Sequence, residues 1–247
     1  MTRVIVAGAT GRVGQVMLAS LPQQAGVEVV GGFGSTNASA ELARLAPQAD
    51  ILVDFTTASA APELLGQAVG AGLRIVSGTT GLPTAILDEL DGRLKAAGLG
   101  GVWAPNFAVG AVLMMYFARV AARFMDAAEV IELHHDRKAD APSGTADQTA
   151  RQIRAERGAD LPDPPVERWT LEGARGAVEG GVRVHSVRLP GLVAHQEVIF
   201  GALGQTLTIR HDAPGRDAYV PGVALAVQQV MQRVGLVRGL GTLMGLA

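Results

Sequence analysis

Short apolar blocks, each ending in small or polar residues, open the chain. Residues 3–7, RVIVA, form a β-branched run that stops at glycine. That length and composition predict a fully buried parallel strand. Similar blocks follow at Val27–Val30, at residues 50–55 (DILVDF), at Arg74–Ser77 and at Gly101–Trp103. Between them lie helical patterns of about a dozen residues, the first of them QVMLASLPQQ. Strands alternating with helices in this way predict an α/β doubly wound parallel sheet. Each strand runs into a small or polar loop on the carboxyl edge, where ligands sit in such sheets.

The pattern changes after Phe107. Residues 108–125 read as one apolar helix, whose methionines and aromatics are core. A strand follows at 128–133, then a charged turn, then a polar helix, ADQTARQIRAERG. Segments 182–189, 194–200 and 206–211 alternate like strands of an open sheet with short turns. Pro162, Pro164 and Pro165 mark a surface loop. Val220 to Val234 reads as a helix returning to the first domain. The expected division is residues 1–107 with 216–247 as one domain, and 108–215 as a second, α+β domain with an open mixed sheet.

Composition narrows the chemistry. The 247 residues contain no Cys, which excludes a disulfide framework, a thiolate metal site, an iron–sulfur cluster and a cysteine nucleophile. A formal net charge of −2 argues against nucleic acid as a partner. A hydrophobic share of 48% against 18% charged excludes global disorder. The longest apolar run, Phe107 to Ala118, is too short to span a bilayer, so no membrane partner is expected. The opening MTRVIVAGATG reads as a strand and not as a targeting signal, and the expected location is the cytoplasm.

The first loop has the spacing G-x-x-G-x-x-G: Gly8, Ala9, Thr10, Gly11, Arg12, Val13, Gly14. It stands directly after a strand and opens a helix. Free backbone N–H groups and the positive end of the helix dipole suit a pyrophosphate there, and glycine keeps Cβ atoms out of its way. A dinucleotide is therefore the expected ligand. After the second strand the chain reads Gly31-Gly32-Phe33-Gly34-Ser35-Thr36-Asn37, without a carboxylate to hold a ribose 2′-hydroxyl. Small donors at Gly34, Ser35 and Thr36, with Arg12 nearby, favour a 2′-phosphate. NADPH is the preferred coenzyme on this reading, with NADH possible.

The 21 basic residues include only two lysines, Lys95 and Lys138. Lys138 follows His134-His135-Asp136-Arg137, so two of five histidines and one of two lysines fall within five residues. Histidine exchanges protons near neutral pH, and lysine, unlike arginine, can give one up. Next comes Pro142-Ser143-Gly144-Thr145, opening a helix. The N–H groups of Gly144 and Thr145, with the hydroxyls of Ser143 and Thr145, would cradle a carboxylate. Adjacent strand residues point to opposite faces, so His134 and His135 do not share a metal ion and none is expected. His185, His195 and His211 are isolated and read as structural.

The run from Glu132 to Ala146, ELHHDRKADAPSGTA, resembles the signature of the 4-hydroxy-tetrahydrodipicolinate (dihydrodipicolinate) reductase family. GTTG at Gly78, APNF at Ala104 and GLVAHQEVIFG at Gly191 match the family in the same order. The resemblance implies a Rossmann-type first domain, a second domain that binds substrate, and a homotetramer built through its sheet. It implies NAD(P)H-dependent reduction of a cyclic dicarboxylate in diaminopimelate and lysine biosynthesis. It further implies His134 as proton donor or acceptor, Lys138 as proton donor and His135 as a substrate contact. Gly144 and Thr145 would hold a carboxylate. Gly8 to Val13, Gly78, Thr79, Thr80, Ala104, Pro105, Asn106 and Phe107 would line the coenzyme. The chain departs from many members at Gly34-Ser35, where they carry an acidic residue, and at Arg137, often histidine. Another nicotinamide-dependent dehydrogenase of amino-acid metabolism, or a non-catalytic NAD(P)H sensor, are the alternative readings.

Overall fold

A computed structural model describes residues 1–246. The chain forms two compact units, one from residues 1–109 and 216–246, the other from residues 110–215. The first begins with β1 (Thr2–Ala7), α1 (Arg12–Ser20), β2 (Val27–Phe33) and α2 (Ala38–Leu45). It continues with β3 (Ile51–Asp54), α3 (Ala61–Gly70), β4 (Arg74–Ser77), α4 (Thr84–Ala96) and β5 (Gly100–Trp103). The second unit holds α5 (Val109–Ala122), β6 (Ala127–His134), α6 (Gly144–Arg157), β7 (Ala177–Glu179), β8 (Val182–Arg188), β9 (Ala194–Ala202) and β10 (Gln205–Ala213). The chain then adds α7 (Val220–Val230), β11 (Gly235–Arg238) and α8 (Leu240–Leu243) to the first unit.

In the first unit the strand order is β11-β5-β4-β3-β1-β2 and every pairing is parallel. This is the doubly wound sheet that the alternating pattern predicts. Val4 to Ala7 and Ile51 to Val53 are fully buried, as strands with helices on both faces must be. β2 runs to Phe33, three residues beyond the expected end at Val30, with Gly31 and Gly32 inside the ladder. Both glycines make room: a Cβ at Gly31 would lie 2.9 Å from Leu45 Cδ2, and one at Gly32 the same distance from Leu18 Cδ2. The glycines thus mark close packing here and not the end of the strand.

The helix expected over Val220 to Val234 also differs from its expected span. α7 stops at Val230; Gly235 takes a φ of +84° and starts β11, which pairs with β5. Four residues of β11 were too few to read from an alternating pattern.

In the second unit the order is β10-β9-β6-β8-β7, with β6–β8 parallel and the other pairs antiparallel. The sheet is therefore mixed, as expected. β7, an exposed edge of three residues, carries no periodic signal. Val130, Val184, Val198 and Phe200 pack on one face with Ala146, Ala150 and Ile153 of α6 and Met114 and Ala118 of α5. The alternation on β6 places Glu132 on that same inner face, fully buried.

Candidate active site

Glycine geometry shapes the first loop. Gly8 has a φ of +77°, and a Cβ there would lie 2.3 Å from the Phe55 carbonyl oxygen. A Cβ at Gly14 would lie 2.1 Å from the Gly8 oxygen. The Gly11 N–H donates to that same oxygen at 2.9 Å, closing the turn. Ala9 is fixed by its N–H to the Phe33 oxygen, also at 2.9 Å. Gly11 caps α1 without a side-chain hydrogen bond, and the N–H groups of Arg12 and Val13 have no partner among the described residues. Bare, positively polarised backbone at a helix start fits the pyrophosphate of a dinucleotide. Thr10 lies against Gly34, whose added Cβ would meet Thr10 Oγ1 at 2.7 Å. Ser35 and Thr36 are exposed at the end of β2, and so is Arg12 at the start of α1.

A buried carboxylate organises the neighbouring loops. Asp54, at the end of β3, is fully buried and accepts four hydrogen bonds. They come from the N–H and hydroxyl of Thr56 (3.0 and 2.6 Å), Ser77 Oγ (2.7 Å) and Thr79 Oγ1 (2.8 Å). Trp103 Nε1 donates to the Thr79 carbonyl at 2.8 Å. Thr79 and Phe107 are buried; Phe107 meets Phe55 edge to face with centroids 6.0 Å apart. Both side chains therefore hold the loops from beneath. Gly78 lacks a Cβ where one would strike the Phe55 ring at 2.2 Å, and Asn106 Oδ1 accepts the Ala108 N–H at 2.9 Å. Thr80 and Pro105 are exposed, and Ala104 is buried behind them.

The charged turn of the second unit centres on Glu132. Its register on β6 sets it opposite Ser186 of β8, with His134 opposite Arg188. Residues 132 and 134 share a face, so the carboxylate and the imidazole meet: His134 Nδ1 hydrogen-bonds Glu132 Oε2. Arg188 grips both carboxylate oxygens, Nη2 to Oε1 at 2.6 Å and Nη1 to Oε2 at 2.9 Å. The Ser143 N–H donates to Oε1 at 3.2 Å. Burial pushes the Glu132 carboxyl up, but the hydrogen bonds from Arg188, Ser186 and His134 outweigh it and hold it below its ordinary value. Burial also lowers the His134 pKa; Glu132 opposes that, while Lys138 and Arg188 add to it. The balance disfavours the charged imidazole, with Nδ1 facing the Glu132 carboxylate.

Lys138 Nζ is held by Asp140 at 2.7 and 2.8 Å, and that contact lowers the Asp140 pKa. The Asp140 carbonyl in turn accepts from Arg188 Nη2 at 2.7 Å. One network therefore joins Lys138, Asp140, Arg188, Glu132, His134 and Ser143. Ser143 is the N-cap of α6: its hydroxyl accepts from the Ala146 N–H at 3.2 Å. The Gly144 and Thr145 N–H groups have no partner among the described residues. A Cβ on Gly144 would meet no atom within 4 Å, so the helix start stands open. His135 Nδ1 is buried without a hydrogen-bond partner among the described residues. An unpaired buried nitrogen is costly and calls for one.

Within the second unit, the turn gathers His134, His135, Lys138, Ser143, Gly144 and Thr145 as the sequence suggests. Ser143 contributes as the cap beneath the cradle, its hydroxyl hydrogen alone left to offer. The sequence reading missed Glu132, Arg188 and Asp140, and also Asp54. The signal for Glu132 was its spacing of two from His134 on a strand. His185 and His195 pair with Glu129 (2.8 Å) and Asp212 (2.7 Å) on the sheet. Among the described residues no cluster of three acidic, His or Cys side chains could hold a metal ion. Among the described residues no helix is long and apolar enough to cross a membrane.

Comparison with known proteins gives a consistent picture. Residues 2–107 match the family model "Dihydrodipicolinate reductase, N-terminus", and residues 110–244 match "Dihydrodipicolinate reductase, C-terminus". The chain is 45% identical to 4-hydroxy-tetrahydrodipicolinate reductase of Dehalococcoides mccartyi, over 99% of this chain and 98% of that one. It is 42% identical to the protein of that name from Bacillus subtilis, over 96% of each. A solved structure, dipicolinate-bound dihydrodipicolinate reductase from Paenisporosarcina sp. TG-14, is 37% identical, with a TM-score of 0.88 over 98% of this chain and 99% of that chain.

Proposed function

The chain belongs to the dihydrodipicolinate reductase family, and from that membership we propose how its residues divide one reduction between them. The protein is a nicotinamide-dependent oxidoreductase that reduces 4-hydroxy-tetrahydrodipicolinate to tetrahydrodipicolinate in diaminopimelate and lysine biosynthesis. The net change replaces a ring C–OH by C–H, so the hydroxyl leaves as water and one proton is consumed. A reduced nicotinamide coenzyme, when bound, supplies the two electrons as hydride.

Residues 1–107 with 216–247 form the dinucleotide-binding domain on this reading. Gly8 to Gly14 hold the pyrophosphate. Gly34, Ser35 and Thr36 meet the adenosine ribose. Gly78 to Thr80 and Ala104 to Phe107 shape the nicotinamide end. Residues 108–215 bind the cyclic dicarboxylate. One carboxylate rests on the open N–H groups of Gly144 and Thr145, where the dipole of α6 favours an anion. The Lys138 cation balances the other, His135 contacts the ring, and His134 and Lys138 are the groups that handle the proton. The observation that carries this reading is the open helix start beside a linked Lys138 and His134 in one turn.

NADPH is preferred over NADH, because no carboxylate ends β2 to repel a 2′-phosphate and Arg12 is exposed at the start of α1. Steady-state rates with both coenzymes test this; a clear preference for NADH would contradict it. The assembly is a homotetramer built through the outer face of the mixed sheet, where Ile131, Leu133 and Val187 stand only partly covered. Sedimentation equilibrium tests that. The location on this reading is the cytoplasm.

The direct assay follows loss of reduced-nicotinamide absorbance with freshly made condensation product of pyruvate and aspartate semialdehyde. Turnover is expected. A protein that binds the coenzyme without consuming it would contradict the reading and favour a sensor.

A further inference from the structure

We infer that Glu132 is a positioning residue: clamped by Arg188, it fixes His134 as the neutral Nδ1–H tautomer and at the same time anchors the start of the carboxylate cradle. This deepens the reading of the turn as the substrate site and rests on it.

The geometry leaves little freedom. Glu132 is fully buried and hydrogen-bonded on both oxygens: two donors come from Arg188 and one from the Ser143 backbone, the Ser186 hydroxyl also bonds it, and His134 Nδ1 lies against Oε2. Neither the guanidinium nor a backbone N–H can act as an acceptor. The carboxylate must therefore stay ionised, and the nitrogen of His134 that faces it must carry the hydrogen. That leaves Nε2 as the bare nitrogen. A neutral imidazole in this state offers the substrate an acceptor and has no proton to donate from Nε2. The charged groups around His134 are Glu132 on its own strand, Arg188 on the adjacent strand and Lys138 in the turn. The two cations favour the neutral ring, and Glu132 is its single anionic neighbour among these. Proton donation then falls to Lys138, whose ammonium is held by Asp140 within the same network.

The second hand of Glu132 reaches the helix. Its Oε1 takes the Ser143 N–H, and Ser143 caps α6, which sets where the Gly144 and Thr145 N–H groups stand. One carboxylate thus fixes an acceptor nitrogen and an anion-binding backbone relative to each other, within a single unit. A carboxylate kept only for packing would need neither contact.

The test is 15N NMR of the full-length protein labelled at histidine, without substrate, with His134 assigned through His134→Asn. In the wild type at neutral pH, Nδ1 is expected in the protonated range and Nε2 in the bare range. An imidazolium, or the opposite tautomer, would overturn the inference. In Glu132→Gln the two shifts should move toward exchange or the opposite tautomer, and turnover should fall about 10-fold or more, with coenzyme affinity unchanged. Unaltered His134 shifts in that variant would overturn it equally. Should Glu132→Gln not fold, Glu132→Gln combined with Arg188→Met removes both charges together, and the same shift change is expected. Because the spectra need no substrate, an enzyme with a different substrate would still pass or fail this test on its own terms.

Discussion

Two acidic side chains are fully buried among the described residues, one in each unit, and they are built into their surroundings in opposite ways. Asp54 sits among neutral groups: three hydroxyls and one backbone N–H. Glu132 sits among a guanidinium, an imidazole, one backbone N–H and a single hydroxyl, that of Ser186. Hydroxyls can turn from donor to acceptor, but a guanidinium cannot. The first arrangement ties loops together and tolerates change. The second fixes charge and tautomer and does not. The difference fits the work proposed for each unit. Backbone and glycines suffice to cradle a nucleotide, whereas moving a proton needs titratable groups held in one state.

The strongest way to sharpen this contrast is Lys138→Ala. It should lower turnover by about 10²–10⁴-fold, the usual worth of a positioned proton donor, with coenzyme affinity unchanged by fluorescence titration. Near-normal turnover would remove Lys138 from the chemistry. Glu132→Gln should next cost about 3–5 kcal/mol of stability in denaturant melts, since Arg188 is left as an unpaired charge. Gly14→Ala acts on the other unit. A methyl 2.1 Å from the Gly8 oxygen forces the loop open, at about 1–3 kcal/mol, and coenzyme affinity should fall about 10- to 100-fold. Asp54→Asn should cost only about 1 kcal/mol, because Ser77 and Thr79 hydroxyls can accept from the new amide. A cost equal to that of Glu132→Gln would erase the contrast.

Acidification supplies the smallest and most graded test. His134 has its pKa lowered from 6.5, so its stabilisation is present above that value and is lost as pH falls through the folded value. Glu132, lowered from 4.5, contributes above 4.5 and loses its contribution on further acidification. The lowered carboxylates of the first unit, Asp50 and Asp91, start from 3.8 and fail later. Hydrogen exchange should show amides of β6 losing protection at higher pH than those of β1. Simultaneous loss would contradict it.

Much of this fold was legible in the sequence, because parallel strands buried on both faces read as continuous apolar runs. RVIVA and DILVDF are such runs, and both are strands. The failures have separate physical causes. Gly31 and Gly32 look like a turn, yet they are strand residues kept bare for Leu45 and Leu18. β7 and β11 are too short to show a period. At the site, the turn from His134 to Thr145 stood out because its residues are contiguous and its lysine is rare. Arg188 and Asp54 did not stand out, because their partners lie far along the chain: Arg188 meets Glu132 only through strand pairing, and Asp54 meets Ser77 and Thr79 only through the parallel ladder. Contacts made by register leave no local mark.

The claim on which the rest depends is that the turn between β6 and α6 grips the substrate. A crystal structure of this protein with NADPH and pyridine-2,6-dicarboxylate tests it directly. One carboxylate is predicted on the Gly144 and Thr145 N–H groups, with Lys138 and His134 Nε2 facing the same ring. The planar acid bound away from that helix start, with those N–H groups left unengaged, would contradict it.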